Sequence, residues 1–189
     1  MHLLIIDNFD SFTYNLVDYF HQLEQTTTVV RNNVSIEDIE KINFDAIVLS
    51  PGPGTPANAG ITMQSIEKYH TKKPILGICL GHQAIGEFFG WTLKKAKQPM
   101  HGKVSKVSYS AHPIFKDIEQ NFSVMRYHSL IIEKPLENNQ LKTIATTDEN
   151  EVMMLTHISL PILGIQFHPE AILTRCGLTL LRNWISLCE

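Results

Sequence analysis

Gly77-Ile78-Cys79-Leu80-Gly81 closes the apolar run Pro74-Ile75-Leu76-Gly77-Ile78 and leads straight into a helix-like segment over residues 82–89. A cysteine between two nearby glycines, where a strand turns into a helix, has the pattern of a nucleophile elbow. The glycines permit a tight backbone, and the side chain is pushed out at the top of a sheet. The helix start brings backbone N–H groups and the positive end of the helix dipole near the sulfur, which favours thiolate. The competing reading makes Cys79 a small core residue at the end of an apolar strand. The glycines and the helix start weigh against it.

Outward from the elbow, apolar runs alternate with helix-period segments. Residues 3–6, 28–31 and 46–49 read as buried strands. A helix is predicted over about residues 12–24 with Asp10 or Ser11 as its cap, a short one from the Ser35 cap to Lys41, and another over 61–70. This alternation predicts a parallel sheet covered on both faces. After the elbow the character changes. Residues 104–108, 123–127, 141–146 and 151–157 read as strands with short connections, an antiparallel extension of the sheet. Residues 162–167 form an apolar strand leading into His168-Pro169-Glu170, and 178–187 a closing helix. The predicted class is α/β, an open and mostly parallel twisted sheet with helices on both faces. No repeat, low-complexity stretch or linker divides the chain, so one domain over residues 1–189 is expected.

Composition narrows the function. At 189 residues and 43% hydrophobic content the chain can bury a sizeable core. A net charge of −3 calls for neither nucleic acid nor an anionic membrane. The three cysteines, Cys79, Cys176 and Cys188, show no paired spacing, which predicts a reducing compartment, the cytoplasm. The opening apolar run is too short for a signal peptide, and no run approaches membrane-spanning length. The nine histidines form no HExxH or Cys/His cluster, so no metal site is expected.

A cysteine hydrolase needs a base for the thiol and a third group to orient that base. His168 and Glu170 supply the pair, since residues two apart on extended backbone point to one side. In open α/β sheets the site lies beyond the carboxyl ends of the strands, where both the elbow and His168-Pro169-Glu170 fall. Ser50-Pro51-Gly52-Pro53-Gly54-Thr55-Pro56 is the other unusual stretch. Its glycines let a ligand approach the backbone and leave N–H groups free for an oxyanion; the plainer reading is a rigid turn. The loose match of Gly52-x-Gly54-x-x-Ala57 to a dinucleotide fingerprint is discounted. It follows the third strand, and Pro53 and Pro56 remove needed N–H groups.

Taken together, these residues resemble the class I (triad) glutamine amidotransferases, and among them the small glutaminase subunits of anthranilate synthase and aminodeoxychorismate synthase. The resemblance spans nearly the whole chain. It is carried in order by Asp7-Asn8-Phe9-Asp10-Ser11-Phe12-Thr13-Tyr14-Asn15, Ser50-Pro51-Gly52-Pro53-Gly54, Gly77-Ile78-Cys79-Leu80-Gly81-His82-Gln83, Met100-His101-Gly102-Lys103, Arg126-Tyr127-His128-Ser129-Leu130 and Gln166-Phe167-His168-Pro169-Glu170.

The resemblance implies roles. Cys79 would be the nucleophile, His168 the general base and acid, and Glu170 its orienting partner. Amides of Gly52 and Leu80 would form the oxyanion hole, at the strand end that includes Pro53 and Gly54. Gln83, with the backbone around Ser129 and Leu130, would hold the α-amino and α-carboxylate groups of L-glutamine. The ammonia would pass to a larger chorismate-binding synthase subunit, giving anthranilate or aminodeoxychorismate, and magnesium would belong to that partner. Ala171 stands where the subfamily usually has Ser, which removes a hydroxyl near Glu170. Two other readings remain open: a stand-alone cysteine γ-glutamyl hydrolase, and a catalytically silent regulatory subunit.

Overall fold

Successive side chains of a strand point to opposite faces, and β1 (His2–Asp7) uses both. Leu3 and Ile5 enter one apolar core, Leu4 and Ile6 a second. A computed structural model describes residues 1–137 and 140–189 of the chain. In it α1 (Thr13–Gln22) and α5 (Gly177–Cys188) cover the first face, with Leu16, Phe20, Leu180, Leu181 and Trp184 buried there. The second face is covered by α2 (Ile36–Glu40), α3 (Thr62–Tyr69) and α4 (Leu80–Phe88), through Ile39, Ile66, Ala84 and Ile85. Burying each such large apolar side chain contributes roughly 1.5–3 kcal/mol, so both faces of the central strands are held by packing.

The remaining strands are β2 (Thr26–Arg31), β3 (Ala46–Leu49), β4 (Ile75–Ile78), β5 (Thr92–Tyr109), β6 (Phe122–Glu133), β7 (Leu141–Thr147), β8 (Val152–His157) and β9 (Ile162–Ile165). Among the described residues they form one nine-stranded sheet in the order β2-β1-β3-β4-β9-β8-β7-β5-β6. Pairings from β2 through β9 are parallel, and those from β9 outward to β6 are antiparallel. The expected α/β sheet, parallel with an antiparallel extension and helices on both faces, is what the chain adopts, the extension accounting for four of the eight strand pairings among the described residues.

Details differ. Neither Asp10 nor Ser11 caps α1. Its cap is Phe12, and the Asp10 carboxylate accepts the Phe12 N–H at 2.8 Å while Asp7 accepts the Thr13 hydroxyl at 2.8 Å. Ser35 does cap α2, accepting the Asp38 N–H at 3.2 Å. The expected strands at 104–108 and 123–127 are only the inner parts of β5 and β6, which run 18 and 12 residues. Much of β5 is exposed and rich in lysine, and β6 buries Arg126 and His128 among its apolar residues, so no apolar alternation marks the length of either. The ladder between them also breaks between Lys95 and Met100, a stretch containing Pro99, which has no N–H to give.

Candidate active site

The parallel strands β1, β3, β4 and β9 end on the same side of the sheet, and each delivers one part of the site. At the end of β4, Cys79 has φ 51° and ψ −98°, a strained conformation for a residue with a side chain. The strain falls on the cysteine itself. The glycines around it serve another purpose: a Cβ at Gly77 would lie 2.4 Å from the Gly81 carbonyl, and one at Gly81 would lie 2.4 Å from the Leu49 carbonyl oxygen. Only glycines let the first turn of α4 sit directly on β3 and β4.

The second part follows β9. The expected extended backbone at His168-Pro169-Glu170 is instead a turn, closed by the Ala171 N–H donating to the His168 carbonyl at 3.3 Å. Proline suits the second position of such a turn. The pairing survives the change: His168 Nδ1 lies 2.6 Å from Glu170 Oε1, both side chains almost fully buried. The His168 N–H donates to the Met125 carbonyl of β6 at 3.1 Å, which anchors the turn to the antiparallel half. Phe12 and Tyr127 lie edge-on around the imidazole, with centroids 5.6 and 5.3 Å away.

Burial works against charge on His168, but the neighbouring Cys79 sulfur and the Glu170 carboxylate outweigh it and hold its pKa well above the ordinary 6.5. His168 Nε2 makes no hydrogen bond of standard geometry, so its electrostatic partner on that side is the Cys79 sulfur. A protonated imidazole facing a sulfur is what a thiolate nucleophile and an acid for the leaving group require. Glu170 Oε2 is buried with no hydrogen-bond partner among the described residues, and Ala171, which follows it, has no hydroxyl to offer.

The third part follows β3. Gly52 packs so closely that a Cβ there would meet Asn8 Cβ at 2.5 Å and Leu80 Cδ2 at 2.8 Å. This sets the Gly52 backbone against the start of α4, where Leu80 is the first residue and has no intrahelical acceptor for its N–H. Asn8, at the end of β1, holds this strand end. Its N–H donates to Ser50 Oγ at 2.8 Å and its Nδ2 to the Ser50 carbonyl at 2.9 Å. Its Oδ1 accepts from Asn32 and Thr62 at 2.9 and 2.7 Å.

A cleft of about 230 Å³ opens at this junction, lined by Gly52, Pro53, Gly54, Cys79, Gln83, Ser129 and Leu130, with His101, Tyr127 and His128. Of the residues expected to bind substrate, only Leu80 does not line it; its side chain is buried against Gly52. Gln83 Nε2 donates to the Leu130 carbonyl at 3.1 Å and to Gln166 Oε1 at 3.2 Å. Gln166 Nε2 in turn points at Cys79 Sγ, 3.6 Å away. Asn8 and Gln166 stand in the sequence motifs without a role of their own, and both organise the site.

Other features fall away. A larger cleft of about 350 Å³ lies beside Trp184 and Cys188, far from the triad in its lining. Burial pushes the Cys188 thiol up to about 12, with Glu189 adding to it, and the Cys176 thiol up to about 11. Neither suits a nucleophile. His82 is fully buried, and burial, partly offset by the Gly164 backbone beside its ring, pushes it down to about 3, so it is a neutral core residue. Among the described residues no group of three or more His, Cys, Asp or Glu is placed to hold a metal ion. No described helix is long and apolar enough to cross a membrane.

Known proteins are similar to this chain over nearly its whole length. The chain is 42% identical over 184 residues to the aminodeoxychorismate/anthranilate synthase component 2 of Bacillus subtilis, covering 97% of this chain and 95% of that protein. It is 44% identical over 189 residues to the anthranilate synthase component 2 of Pseudomonas aeruginosa, covering 97% of this chain and 94% of that protein. A crystal structure of a putative GMP synthase subunit from Thermoplasma acidophilum superposes with a TM-score of 0.86 at 29% identity, covering 100% of this chain and 94% of that one. The family model described as glutamine amidotransferase class-I matches residues 4–187, and the chain belongs to that family.

Proposed function

We propose that this chain is a glutaminase subunit that hydrolyses L-glutamine through Cys79, His168 and Glu170 and passes the ammonia to a chorismate-binding synthase subunit. The observation that carries this reading is a cysteine at a strained elbow in the lining of the cleft, beside a buried His168–Glu170 pair whose charge its sulfur favours.

In this reading the Cys79 thiolate attacks the side-chain amide carbon of glutamine. The oxyanion is held by the amides of Gly52 and Leu80; losing one such donor slows a reaction by about 10²–10³. His168 gives its proton to the departing ammonia, leaving a γ-glutamyl thioester on Cys79. Water, deprotonated by His168, then attacks the thioester, the C–S bond breaks, and glutamate is released with the Cys79 thiolate and the protonated His168 restored. Gln83 and the backbone at Ser129 and Leu130 hold the amino-acid end of the substrate, with Pro53 and Gly54 on the opposite rim.

The names of the relatives support a partner, since both are second components of synthases. Nucleophile, base and oxyanion donors are all groups of this chain, and magnesium belongs to the partner. The name of the Bacillus subtilis relative covers both products, so here the choice between anthranilate and aminodeoxychorismate rests with the partner. The rim around Cys79, the segment 8–13 and the loop 51–56 form the docking surface; Phe9, 50% exposed, gives it apolar character. The cytoplasm, a reducing compartment that suits three unpaired cysteines, is the location proposed.

The test is glutamate release from glutamine by the chain alone and with each type of synthase subunit. Turnover that rises on docking and disappears in Cys79→Ala is expected. Hydrolysis of γ-glutamyl peptides in preference to glutamine would turn the reading to a stand-alone hydrolase. Failure of a glutamine-mimicking electrophile to label Cys79 would turn it to a silent subunit.

A further inference from the structure

A buried polar line runs behind the cleft, and the glutaminase chemistry does not use it. Its origin is Arg126 on β6, nearly fully buried, which pairs through Nη2 with Glu151 and donates through Nη1 to Ser105 Oγ at 3.1 Å. Its Nε donates to His128 Nε2 at 3.0 Å. A guanidinium has donors only. His128 Nε2 must therefore be the accepting nitrogen, and the ring proton sits on Nδ1. That Nδ1 lies 2.9 Å from the Leu130 carbonyl oxygen, which can only accept. The same oxygen takes the Gln83 bond from the other side. It is thus clamped between a histidine of β6 and a glutamine of α4, at the point where the β5–β6 ladder is interrupted.

The clamp needs His128 neutral and in one tautomer. The titratable and charged groups that face it are Arg126, His82 of α4 and His168 beyond β9. Burial first, then Arg126, pushes His128 down to about 3, with His82 and His168 acting the same way. The opposite tautomer would set a lone pair against the Leu130 oxygen and push that segment of the rim away.

We propose that Arg126 and His128 are positioning residues for glutamine binding: Arg126 selects the His128 tautomer, and His128 holds the Leu130 carbonyl and with it the Ser129–Leu130 rim and Gln83. The proposal rests on the glutaminase reading, and neither residue touches the reacting atoms.

Two measurements test it. Nitrogen-15 NMR of the histidine rings in the full chain is expected to show His128 as the Nδ1–H tautomer, unchanged between about pH 5.5 and 8. The Nε2–H tautomer, or titration within that range, would overturn the proposal whatever the enzyme does. The second measurement is steady-state glutaminase kinetics of the chain with its synthase subunit. His128→Asn keeps an N–H where Nδ1 stands and should leave KM for glutamine close to that of the unaltered chain. His128→Gln puts its amide where Nε2 stands, loses the bond to Leu130, and should raise KM about tenfold with kcat little changed. Equal KM values for the two variants, or a loss confined to kcat, would also overturn it. An unaltered complex that does not hydrolyse glutamine would instead sink the glutaminase reading, while the NMR result would still decide the tautomer.

Discussion

The N–H of Cys79 donates to the carbonyl of Ile165 at 2.8 Å. Through this bond the nucleophile's own peptide belongs to the ladder between β4 and β9, and β9 is the strand that delivers His168. The spacing of nucleophile and base is therefore set by sheet geometry together with the turn after β9, which the Met125 carbonyl of β6 anchors. Precise placement of this kind is worth a large part of an enzyme's rate enhancement.

Glu170→Gln removes the carboxylate that helps keep the proton on His168, while burial, which opposes charge, remains. The His168 pKa therefore falls in the variant, and less imidazolium is present to protonate the leaving ammonia at neutral pH. A drop in kcat of about 10²–10⁴ is expected, with the alkaline limb of the pH–rate profile moved to lower pH. Profiles of kcat for both proteins between pH 6 and 10 check this; coincident alkaline limbs would contradict it.

Gly81→Ala places a methyl group 2.4 Å from the Leu49 carbonyl oxygen. Both are fixed backbone positions, so α4 must lift from β3. Overpacking of this kind costs about 1–3 kcal/mol, which lowers the Tm of a chain this size by roughly 2–12 °C. Activity should fall further than stability does, because α4 carries the Leu80 amide and Gln83. Thermal unfolding and glutaminase assays on the same preparation separate the two effects.

Asn8→Ala leaves the side chains of Asn32 and Thr62, and the Ser50 carbonyl, without the partner they share. Buried groups left unsatisfied cost about 1–3 kcal/mol. The loosened strand end should also misplace the Gly52 amide, lowering kcat more than it raises KM. An unaltered kcat in a folded Asn8→Ala protein would show that the strand end holds itself.

Acid should unfold the protein steeply. His82 and His128 stay neutral in the folded chain down to about pH 3 but take up protons near 6.5 once unfolded. The unfolded state therefore binds more protons throughout this window, and stability is lost as pH falls from 6.5 toward 3. Two such groups give a slope of about 2.7 kcal/mol per pH unit near pH 5, before carboxylates contribute. His168, whose pKa is raised, is protonated in both states there and adds nothing; its stabilising share is present below 6.5 and fades at alkaline pH. Denaturant midpoints between pH 4 and 7 test the slope, and His82→Gln should roughly halve this part of it.

The elbow was legible because the residues that make it are neighbours: an apolar run, two glycines and a helix start lie within a few positions. The pairing of His168 with Glu170 was legible for the same reason, although a turn and not a strand achieves it. The lengths of β5 and β6 were not, since the exposed, lysine-rich β5 leaves no apolar period to read and β6 buries Arg126 and His128 among its apolar residues. Gln166 and Asn8 escaped because their partners are distant along the chain, 87 residues separating Gln166 from Cys79 and 42 separating Asn8 from Ser50. Polar residues of this kind have no local signature; only the strand order brings their partners to them.

The sheet is parallel on one side of β9 and antiparallel on the other, and the cleft straddles that seam. The bond-breaking groups are rooted left of the boundary or on it, while the far rim belongs to a long hairpin on the right. His168 is itself tied to that hairpin through the Met125 carbonyl and the Tyr127 ring, so leverage applied there reaches the imidazole as well as the amino-acid head, while the sulfur stays rooted between β4 and β9. One lever thus serves both grip and proton transfer, and a push on the hairpin adjusts the two together.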